Sequence, residues 1–393
     1  MARGQVLQNL LQMRIHRGET VTTQLRPAQQ TAVDWLRTRR RACVVAPAGV
    51  GKTIIAAGAL ATVISHRPRI REVAVGWLCN TVEQAQQARA ALASFPVTAA
   101  LKDLKIACAA ANTDWSDRDV LICDEIHHFS APGWMRQIQT CTGTIWGFTA
   151  TPDTGDEERD RIFYEFWQGN VHTIERAEVA HTLSSATVTF LDATDPGLRE
   201  IIDADIAKTM SWRRRYWKGP EQQLWGQVAW QACITNGIVN NRARNEAAVA
   251  AARRHTEPTL ILVNLVEHAK WFAEQLPGTV ACYAGMGKKR RAQAISDFKS
   301  GKLQRIVSTA MLDEGADFPT AAVLILVSAG KSETKTVQRT GRILRRSEGK
   351  RTARIYDWTD ADTHPLMAKH SRRRREIYLE LGYHIEGENK RLC

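Results

Sequence analysis

A glycine-bearing loop set between an apolar run and a helical run constrains this chain more than any other feature. The run ACVVA at 42–46 leads into the loop APAGVGKT at 46–53, and the Ala-rich stretch TIIAAGALATVIS follows at 53–65. A loop between a strand and a helix points successive backbone N–H groups at one phosphate, and Gly49 and Gly51 allow the tight curl that this requires. The segment therefore predicts an α/β fold that binds a triphosphate.

Residue types in this loop fit the groups of a bound nucleotide. Lys52 is predicted to reach the β- and γ-phosphates, and the hydroxyl of Thr53 is predicted to ligate Mg²⁺. The backbone that cradles the phosphates belongs to Ala48, Gly49, Val50 and Gly51. ATP and Mg²⁺ are therefore the expected cofactors. A chance glycine loop is the alternative, and the strand before the loop and the helix after it argue against that alternative.

A second signal is a pair of carboxylates that ends another apolar run, VLICDEIHH at 120–128. In a parallel sheet, ligands bind beyond the C-terminal ends of the strands, so Asp124 is predicted to face Thr53 and to hold Mg²⁺, usually through water. Glu125 is predicted to orient and deprotonate the attacking water. His127 either couples this site to the following segment or is a histidine of a surface loop.

Strand-like runs alternate with helical patterns in two blocks of the chain. The second block resumes at TLILV, residues 259–263, after an irregular, Trp-rich stretch at 192–240. Alternation of this kind is typical of βαβ units, which form a parallel sheet covered by helices on both faces. The chain is therefore expected to contain two α/β domains.

Charge adds an expectation about partners, because 54 Lys and Arg against 41 Asp and Glu leave a net charge of +13. A chain this basic commonly binds nucleic acid, although a solvated basic surface gives the same composition. The segment KTMSWRRRYWKG at 208–219 mixes cations with aromatics. It is either a surface that follows a nucleic-acid strand or an amphipathic helix with its aromatics packed inside. The run SRRRRE at 371–376 is expected to be a solvated helix end.

Cysteine usage and hydropathy bear on the compartment. The eight cysteines form no CxxC pair and no Cys/His cluster with zinc spacing, which favours free thiols in a reducing cytosol. No run of ~18 apolar residues occurs, and the N-terminal segment lacks the features of a secretory signal. We therefore expect no membrane contact and a cytoplasmic location, in a bacterium or in a phage-infected host cell.

Further motifs extend the pattern over 24–358. In chain order they are LRPAQQ at 25–30, APAGVGKT at 46–53, LCNTVEQAQQ at 78–87, DEIH at 124–127, FTATP at 148–152, TLILVNLVEHAKWFAEQL at 259–276, CYAGMGKKRRAQAISDFKSG at 282–301, STAMLDEGADFP at 308–319 and QRTGRILR at 338–345. The series resembles superfamily 2 nucleic-acid helicases of the DExH type. Within that superfamily it is most similar to the XPB-like, UvsW-like and type III restriction-motor group.

The resemblance implies roles for residues of the first block that the loop argument does not reach. Gln29 would read the adenine, and Thr81 would contact the nucleic-acid backbone. Thr149 and Thr151 would link the state of the nucleotide to contact with the strand.

In the second block, the resemblance directs Thr309 toward the strand and Gly315 and Asp317 toward the nucleotide. Gln338 would position water or phosphate, and Arg342 and Arg345 would be arginine fingers. Independently of the family, the arginines of QRTGRILR lie three residues apart on one predicted helical face, and their planar forks suit phosphate oxygens. The alternative is an exposed basic helix that only keeps the protein soluble.

The fold implied by the resemblance is α/β, with two tandem RecA-like domains, parallel sheets and an ATP cleft between the domains. The expected segments are an N-terminal extension at 1–23, RecA-like domain 1 at 24–185, a connecting Trp/Arg-rich segment at 186–240, RecA-like domain 2 at 241–362 and a basic C-terminal tail at 363–393.

The function implied by the resemblance is an ATP-dependent DNA helicase that translocates on DNA and unwinds or remodels it. A duplex DNA translocase or annealing motor without strand separation stays open, as does an RNA helicase. An ATPase-dead nucleic-acid-binding protein is disfavoured because Lys52, Glu125, Arg342 and Arg345 are all present. DNA is the expected partner, with RNA second, and a protein partner is expected to guide so small a motor.

Overall fold

Short runs rich in β-branched residues form strands in the structure, a computed structural model. The structure describes residues 12–14, 20–22, 25–47, 49–65, 73–99, 101–130, 132–153, 156–179, 184–193, 195–309, 318, 320–328, 330, 333–343, 350 and 352–386. The chain divides into two units, Met1–Leu183 and Ser184–Cys393. Each unit is built around its own parallel sheet.

The first unit contains an antiparallel pair of strands and a six-stranded parallel sheet. The pair joins β1, Gln12–Arg14, to β2, Thr20–Thr22. The sheet is formed by β3 Arg41–Val45, β4 Ala74–Cys79, β5 Asp103–Cys108, β6 Val120–Asp124, β7 Thr144–Thr149 and β8 Val171–Thr173. The strands lie in the order β5-β4-β6-β7-β3-β8, and neighbouring strands are parallel.

Helices cover this sheet on both faces. They are α1 Pro27–Leu36, α2 Lys52–Ser65, α3 Val82–Ala93, α4 Pro96–Ala99, α5 Pro132–Gln139, α6 Glu157–Trp167 and α7 Arg176–Val179, with 3₁₀ helices at Ala109–Ala111 and Ile126–Ser130. Alternate residues of β3 enter two different apolar cores, Ala42 and Val44 on one face and Cys43 and Val45 on the other. A strand buried on both faces explains why ACVVA is continuously apolar instead of alternating.

Strand β7 contains a glycine because an aromatic ring lies directly against its backbone. A Cβ atom on Gly147 would lie 2.5 Å from a ring atom of Trp167, which is fully buried at the end of α6. Glycine in a strand usually marks such a close approach.

The second unit contains a seven-stranded sheet. Its strands are β9 Ser185–Leu191, β10 Thr259–Val263, β11 Thr279–Cys282, β12 Arg305–Thr309, β13 Val323–Leu326, β14 Thr352–Trp358 and β15 His384–Ile385. They lie in the order β11-β12-β10-β13-β14-β9-β15, again with parallel neighbours.

The helices of the second unit are α8 Leu198–Arg213, α9 Glu221–Ala232, α10 Arg242–Arg253, α11 Val266–Gln275, α12 Lys288–Lys299, α13 Glu333–Ile343 and α14 Pro365–Glu380, with a π-helical turn at Cys233–Val239 and a 3₁₀ turn at Ala284–Met286. Residues of β10 again alternate between two cores, with Ile261 and Val263 on one face and Leu260 and Leu262 on the other. The parallel sheets predicted from the alternation of strands and helices are confirmed in both units.

Two predicted boundaries differ from the grouping in the structure. The segment 186–240, expected to connect the domains, contributes β9 to the second sheet, between β14 and β15. Its helices α8 and α9 bury Ile202 and Leu224 in the same core as Ile261. The segment 363–393, expected to be a tail, contributes α14 and β15 to the second unit. One face of α14 is buried in that unit, and β15 pairs with β9.

Cysteines and helix lengths complete the description. None of the seven described cysteines forms a disulfide. Across the described ranges, we find no helix that combines the length and the apolar character needed to cross a bilayer.

Candidate functional site

Three of the strands that carry first-block motifs, β3, β6 and β7, are neighbours in the first sheet. In the order β6-β7-β3, Thr149 at the end of β7 pairs with Val45 of β3, and Asp124 at the end of β6 pairs with Phe148 of β7. Because all three strands are parallel, the loop at 46–53, the carboxylates and the FTATP segment leave the sheet at the same edge. This edge is where open parallel sheets bind ligands.

The loop has the backbone expected of a phosphate cradle. Gly49 and Gly51 both have φ of 92°, a left-handed conformation that strains any residue with a side chain. A Cβ on Gly51 would also lie 3.0 Å from Nε2 of Gln29. Helix α2 begins at Lys52, directly after this turn, so its N-terminal dipole points at the cradle. Ala48, predicted as part of the cradle, lies outside the described residues.

Lys52 and Glu125 form an ion pair across this edge. Nζ of Lys52 lies 2.7 Å from Oε1 of Glu125, and the two side chains are 16% and 19% exposed. Glu125 has φ of 49°, which is unusual for a residue other than glycine. A backbone conformation of this kind costs ~1–3 kcal/mol and occurs mainly at functional sites. The other carboxylate oxygen of Glu125, Oε2, is buried with no hydrogen-bond partner among the described residues.

The neighbouring carboxylates have pKa values shifted in opposite directions. Burial, followed by the charge of Glu125, raises the pKa of Asp124 to about 6. Burial alone would also raise the pKa of Glu125, but the charge and hydrogen bond of Lys52, together with the nearby His127 and His128, outweigh burial and lower that pKa. Glu125 is therefore a carboxylate at neutral pH, stabilised by the same lysine that is predicted to hold phosphate.

His127 links this carboxylate to the end of β7. Its Nδ1 lies 2.8 Å from Oγ1 of Thr149 and 3.6 Å from Oε2 of Glu125. The Thr149 hydroxyl donates to the carbonyl of Thr151 at 3.0 Å and accepts from the backbone N–H of Thr151 at 3.1 Å. Since that hydroxyl proton is already used, Nδ1 of His127 is the donor to Thr149.

The protonation state of His127 agrees with this hydrogen bond. Burial, then the neighbouring His128, lowers the pKa of His127 to about 3, so the ring is neutral. Of the two sequence-based alternatives, the structure supports the coupling histidine, because His127 is buried and does not lie on a surface loop.

Gln29 supports the loop from α1. Its Oε1 accepts from the backbone N–H of Arg26 at 2.9 Å, and its Nε2 donates to the carbonyl of Val50 at 2.7 Å. The side chain is buried against the cradle. The oxygen and the nitrogen of the amide therefore each already make one hydrogen bond within the protein. The bond to the carbonyl of Val50 could not be predicted from the sequence.

The remaining predicted residues fall into three groups. Thr53 is half-buried in the first turn of α2, Thr309 is buried at the end of β12, and Thr81 caps α3 by accepting from the backbone N–H of Gln84 at 3.2 Å. Gln338 and Arg342 lie in α13, with side chains outside the described part of the structure. Gly315, Asp317 and Arg345 lie outside the described residues.

Two family models match parts of the chain. Residues 22–114 match the model described as type III restriction enzyme, res subunit. Residues 243–347 match the helicase conserved C-terminal domain.

Relatives with similar sequences carry helicase names. A protein provisionally named helicase 22, from Sulfolobus islandicus filamentous virus, is 36% identical over 104 residues, which are 25% of this chain and 19% of that protein. A protein provisionally named DNA 3′-5′ helicase Rad25, from Haloarcula marismortui, is 22% identical over 349 residues, which are 82% of this chain and 50% of that protein. The chain thus spans half or less of the length of these relatives.

Solved structures share the fold. A fragment described as an HsdR subunit of a type I restriction enzyme from Vibrio vulnificus superposes with a TM-score of 0.58 at 16% identity, covering 94% of this chain and 69% of that one. The Hef helicase domain of Pyrococcus furiosus superposes with a TM-score of 0.52 at 14% identity, covering 85% of this chain and 95% of that one. The predicted fold class of tandem RecA-like domains is thereby confirmed.

Proposed function

We propose that this chain, a superfamily 2 helicase-type protein related to restriction-motor enzymes, hydrolyses ATP in order to move along DNA and to unwind or remodel it. The observation that carries the proposal is the Lys52–Glu125 ion pair at the edge where β3, β7 and β6 end. A lysine at a phosphate cradle and a carboxylate poised as a base are the two groups that nucleotide hydrolysis needs.

The ion pair suggests how ATP prepares the site for hydrolysis. When the phosphates enter the cradle, Lys52 would turn from Glu125 to the β- and γ-phosphates. Glu125 would then be free to accept a proton from the attacking water. The lysine keeps Glu125 ionised while the pair is intact, and once Lys52 turns away, burial would raise the pKa of Glu125 and favour acceptance of a proton. Oε2, which has no hydrogen-bond partner among the described residues, would be the oxygen that receives it.

The donor set at this edge suits Mg²⁺ bound together with a nucleotide. The described residues contain no group of three His, Cys, Asp or Glu that would hold a metal alone. Mg²⁺ commonly uses one or two protein oxygens, several waters and the substrate phosphates, and Asp124 and the Thr53 hydroxyl would supply the protein oxygens. When bound, the ion would neutralise charge that develops on the phosphates.

Residues of the second unit would complete the reaction. Arg342 and Arg345 would stabilise the transferring phosphoryl group, and arginine fingers of this kind contribute ~10³–10⁵ in rate. Gln338 would position water or phosphate, while Gly315 and Asp317 would contact the nucleotide. This part of the proposal requires the ATP cleft between the two domains that the sequence predicts.

Coupling to DNA would begin at the same carboxylate. A change at Glu125 would reach His127, whose Nδ1 lies 3.6 Å from Oε2 of Glu125. From His127 it would pass by hydrogen bonds to the Thr149 hydroxyl and the backbone of Thr151. Thr81 and Thr309 would contact the strand. Gln29 would contact the adenine through the second N–H of its Nε2 and the second lone pair of its Oε1, which the bonds to Arg26 and Val50 do not use.

DNA as the track is supported by the names of the relatives and by the net charge of +13. A duplex translocase or annealing motor and an RNA helicase are the alternatives. The ion pair of Lys52 with Glu125 argues against an ATPase-dead binding protein. A cytoplasmic location and a guiding protein partner complete the proposal.

The experiment measures ATP turnover with single-stranded, duplex and forked DNA and with RNA, followed by strand displacement on the fork. We expect DNA to stimulate turnover more than RNA does, and we expect ATP-dependent displacement. Stimulation by duplex DNA without displacement would support the translocase. Turnover that no nucleic acid changes would contradict the proposed motor.

A further inference from the structure

A turn between two helices of the second unit exposes aromatic rings to solvent. Helix α8 ends at Arg213 and helix α9 begins at Glu221. Trp212 is 51% exposed and Tyr216 is 80% exposed. Rings of this size are usually buried, since burial of a large apolar side chain contributes ~1.5–3 kcal/mol, so two exposed rings only four residues apart suggest a ligand.

The same turn concentrates positive charge. Its exposed cations are Lys208, Arg213, Arg214, Arg215 and Lys218. Arg214 pairs with Glu221 at 2.8 Å, whereas no described carboxylate lies within ion-pair distance of Arg213 or Arg215. The guanidinium of Arg213 lies 5.5 Å from the ring centre of Trp212. Exposed cations and rings therefore alternate along this short segment.

Packing on the opposite side holds this surface in place. Ile202 and Ile206 of α8 enter the apolar core together with Leu224 and Val228 of α9. Trp217 packs partly against this core, and its Nε1 donates to the carbonyl of Pro220 at 3.1 Å.

The sequence left two alternatives for this segment, a surface that follows a nucleic-acid strand or a helix with its aromatics packed inside. Inward packing holds for one of its three aromatics. Trp217 stabilises the turn, while Trp212 and Tyr216 remain exposed. The rings are thus presented on a fixed scaffold whose assembly does not need them.

We propose that this aromatic–cationic turn, residues 208–218, binds single-stranded DNA. Unpaired bases would stack on Trp212 and Tyr216, because every base offers a π-face and stacking tolerates any sequence. Phosphates would pair with Arg213 and Arg215, whose planar forks match phosphate oxygens. A duplex offers no free base faces, so the rings select an unpaired strand. The choice of DNA rests on the proposed function.

The test uses the full chain and a fluorescent oligo(dT), with anisotropy as the readout and duplex of equal length as the comparison. Trp212→Ala with Tyr216→Ala should weaken oligo(dT) binding at least tenfold and duplex binding much less. Arg213→Gln with Arg215→Gln should instead lower the slope of log affinity against log salt by roughly 1.4, at ~0.7 per phosphate contact on a single strand.

Tyr164→Ala is the matched control, because Tyr164 is 44% exposed but its hydroxyl donates to Asp153 in an acidic setting. It should bind oligo(dT) like the unmodified chain. Thermal melting of each variant should match the unmodified chain, since the altered side chains are exposed.

Three results would overturn the assignment of the turn. The first is unchanged oligo(dT) binding by the Trp212→Ala, Tyr216→Ala variant. The second is a loss of duplex binding in that variant as large as its loss of oligo(dT) binding. The third is an equally large loss of its binding to phosphatidylcholine vesicles that carry phosphatidylserine. DNA-stimulated ATP turnover by the unmodified chain tests the proposed motor function separately from the DNA-binding role of the turn. If stimulation is present and oligo(dT) binding survives the aromatic change, the turn is wrong and the motor stands.

Discussion

The two units hold their principal ion pairs in opposite ways. In the first unit, Lys52 and Glu125 meet through one contact of 2.7 Å between partly exposed side chains, and Oε2 of Glu125 has no hydrogen-bond partner among the described residues. In the second unit, Arg374 and Asp357 are fully buried and share two hydrogen bonds of 2.8 Å. One pair is open to a new partner, and the other is closed.

Further bonds saturate the pair of the second unit. Asp357 also accepts from the hydroxyl of Tyr378 and from the backbone N–H of Trp358, both at 2.7 Å. Beside it, Arg244 pairs with Asp360 and lies over the ring of Trp358 at 4.3 Å. A buried charge cluster of this kind is tolerable only when every member is paired.

The difference follows from where each pair lies. Lys52, the first residue of α2, and Glu125, directly after β6, lie at the C-terminal edge of a sheet, where a ligand can enter. Arg374 and Asp357 join the middle of α14 to the end of β14, inside the second unit. The comparison teaches that ion pairs of similar length can leave charged groups accessible to a ligand in one unit and enclose them within the architecture of the other.

The largest expected effect concerns the closed pair. Arg374→Ala should lower the free energy of unfolding of the second unit by ~3–5 kcal/mol, because it leaves Asp357 charged, buried and short of its main partner. Chemical denaturation, followed by tryptophan fluorescence, checks this. The neighbouring Arg373→Ala, which removes surface pairs with Glu376 and Glu380, should cost under ~1 kcal/mol. Equal losses in both variants would contradict the distinction.

The sequence singled out both residues of the open pair, although not their ion pair, and neither residue of the closed one. Lys52 and Glu125 each lie in a short local motif, and parallel strands bring such motifs to one edge whatever the rest of the chain does. Arg374 lies in a run of four arginines, where charge alone suggests a solvated helix end, and the structure corrects that expectation. Its partner Asp357 lies 17 residues away on another element.

A periodicity signal for Arg374 was nevertheless present. The buried residues of α14 are Met367, Ala368, His370, Ser371, Arg374, Ile377 and Tyr378. Arg374 falls on this helical face at the i, i+3, i+4, i+7 spacing, and the other arginines of the run do not. The exposed rings of the aromatic–cationic turn could not be predicted, because the sequence does not say which of three neighbouring aromatics packs inward.

The next effect concerns the open pair. Lys52→Ala should slow ATP turnover by about 100-fold or more, since it removes a charge that stabilises the transferring phosphoryl group. Unfolding should change little, because Lys52 makes one partly exposed contact. Lys270→Ala is the control, since Lys270 pairs with Glu267 at 2.9 Å on the surface of α11. Turnover of Lys52→Ala close to that of Lys270→Ala would contradict the site.

Acid should affect the second unit through Asp357. Burial would raise the pKa of this carboxyl, but the charge of Arg374 and the hydrogen bonds from Arg374, Tyr378 and Trp358 together outweigh burial and hold the pKa below the ordinary 3.8. A lowered pKa in the folded state stabilises the unit above pH ~4, and that stability is lost as pH falls through the folded value. Asp357→Asn should flatten this decline, by up to ~1.4 kcal/mol per pH unit. An unchanged pH dependence would mean that other groups dominate.

The smallest effect separates two roles of Thr81. As the cap of α3, Thr81→Ala should cost ~1 kcal/mol of stability, and Thr81→Ser should restore it, because serine also accepts from Gln84. If Thr81 also contacts the DNA strand, the alanine variant should bind DNA more weakly even under conditions in which it is fully folded. DNA affinity unchanged in the alanine variant would limit Thr81 to capping.

The central claim, that the open pair performs hydrolysis, is tested most directly by single-turnover hydrolysis in Glu125→Gln beside equilibrium binding of Mg²⁺ and ATP. The amide keeps the shape of the side chain and removes the base. We expect ATP to bind at least as tightly as in the unmodified chain, because no carboxylate competes for Lys52, and hydrolysis to be about 100-fold slower or more. Hydrolysis within about twofold of the unmodified chain, being under ~0.5 kcal/mol, would contradict the claim.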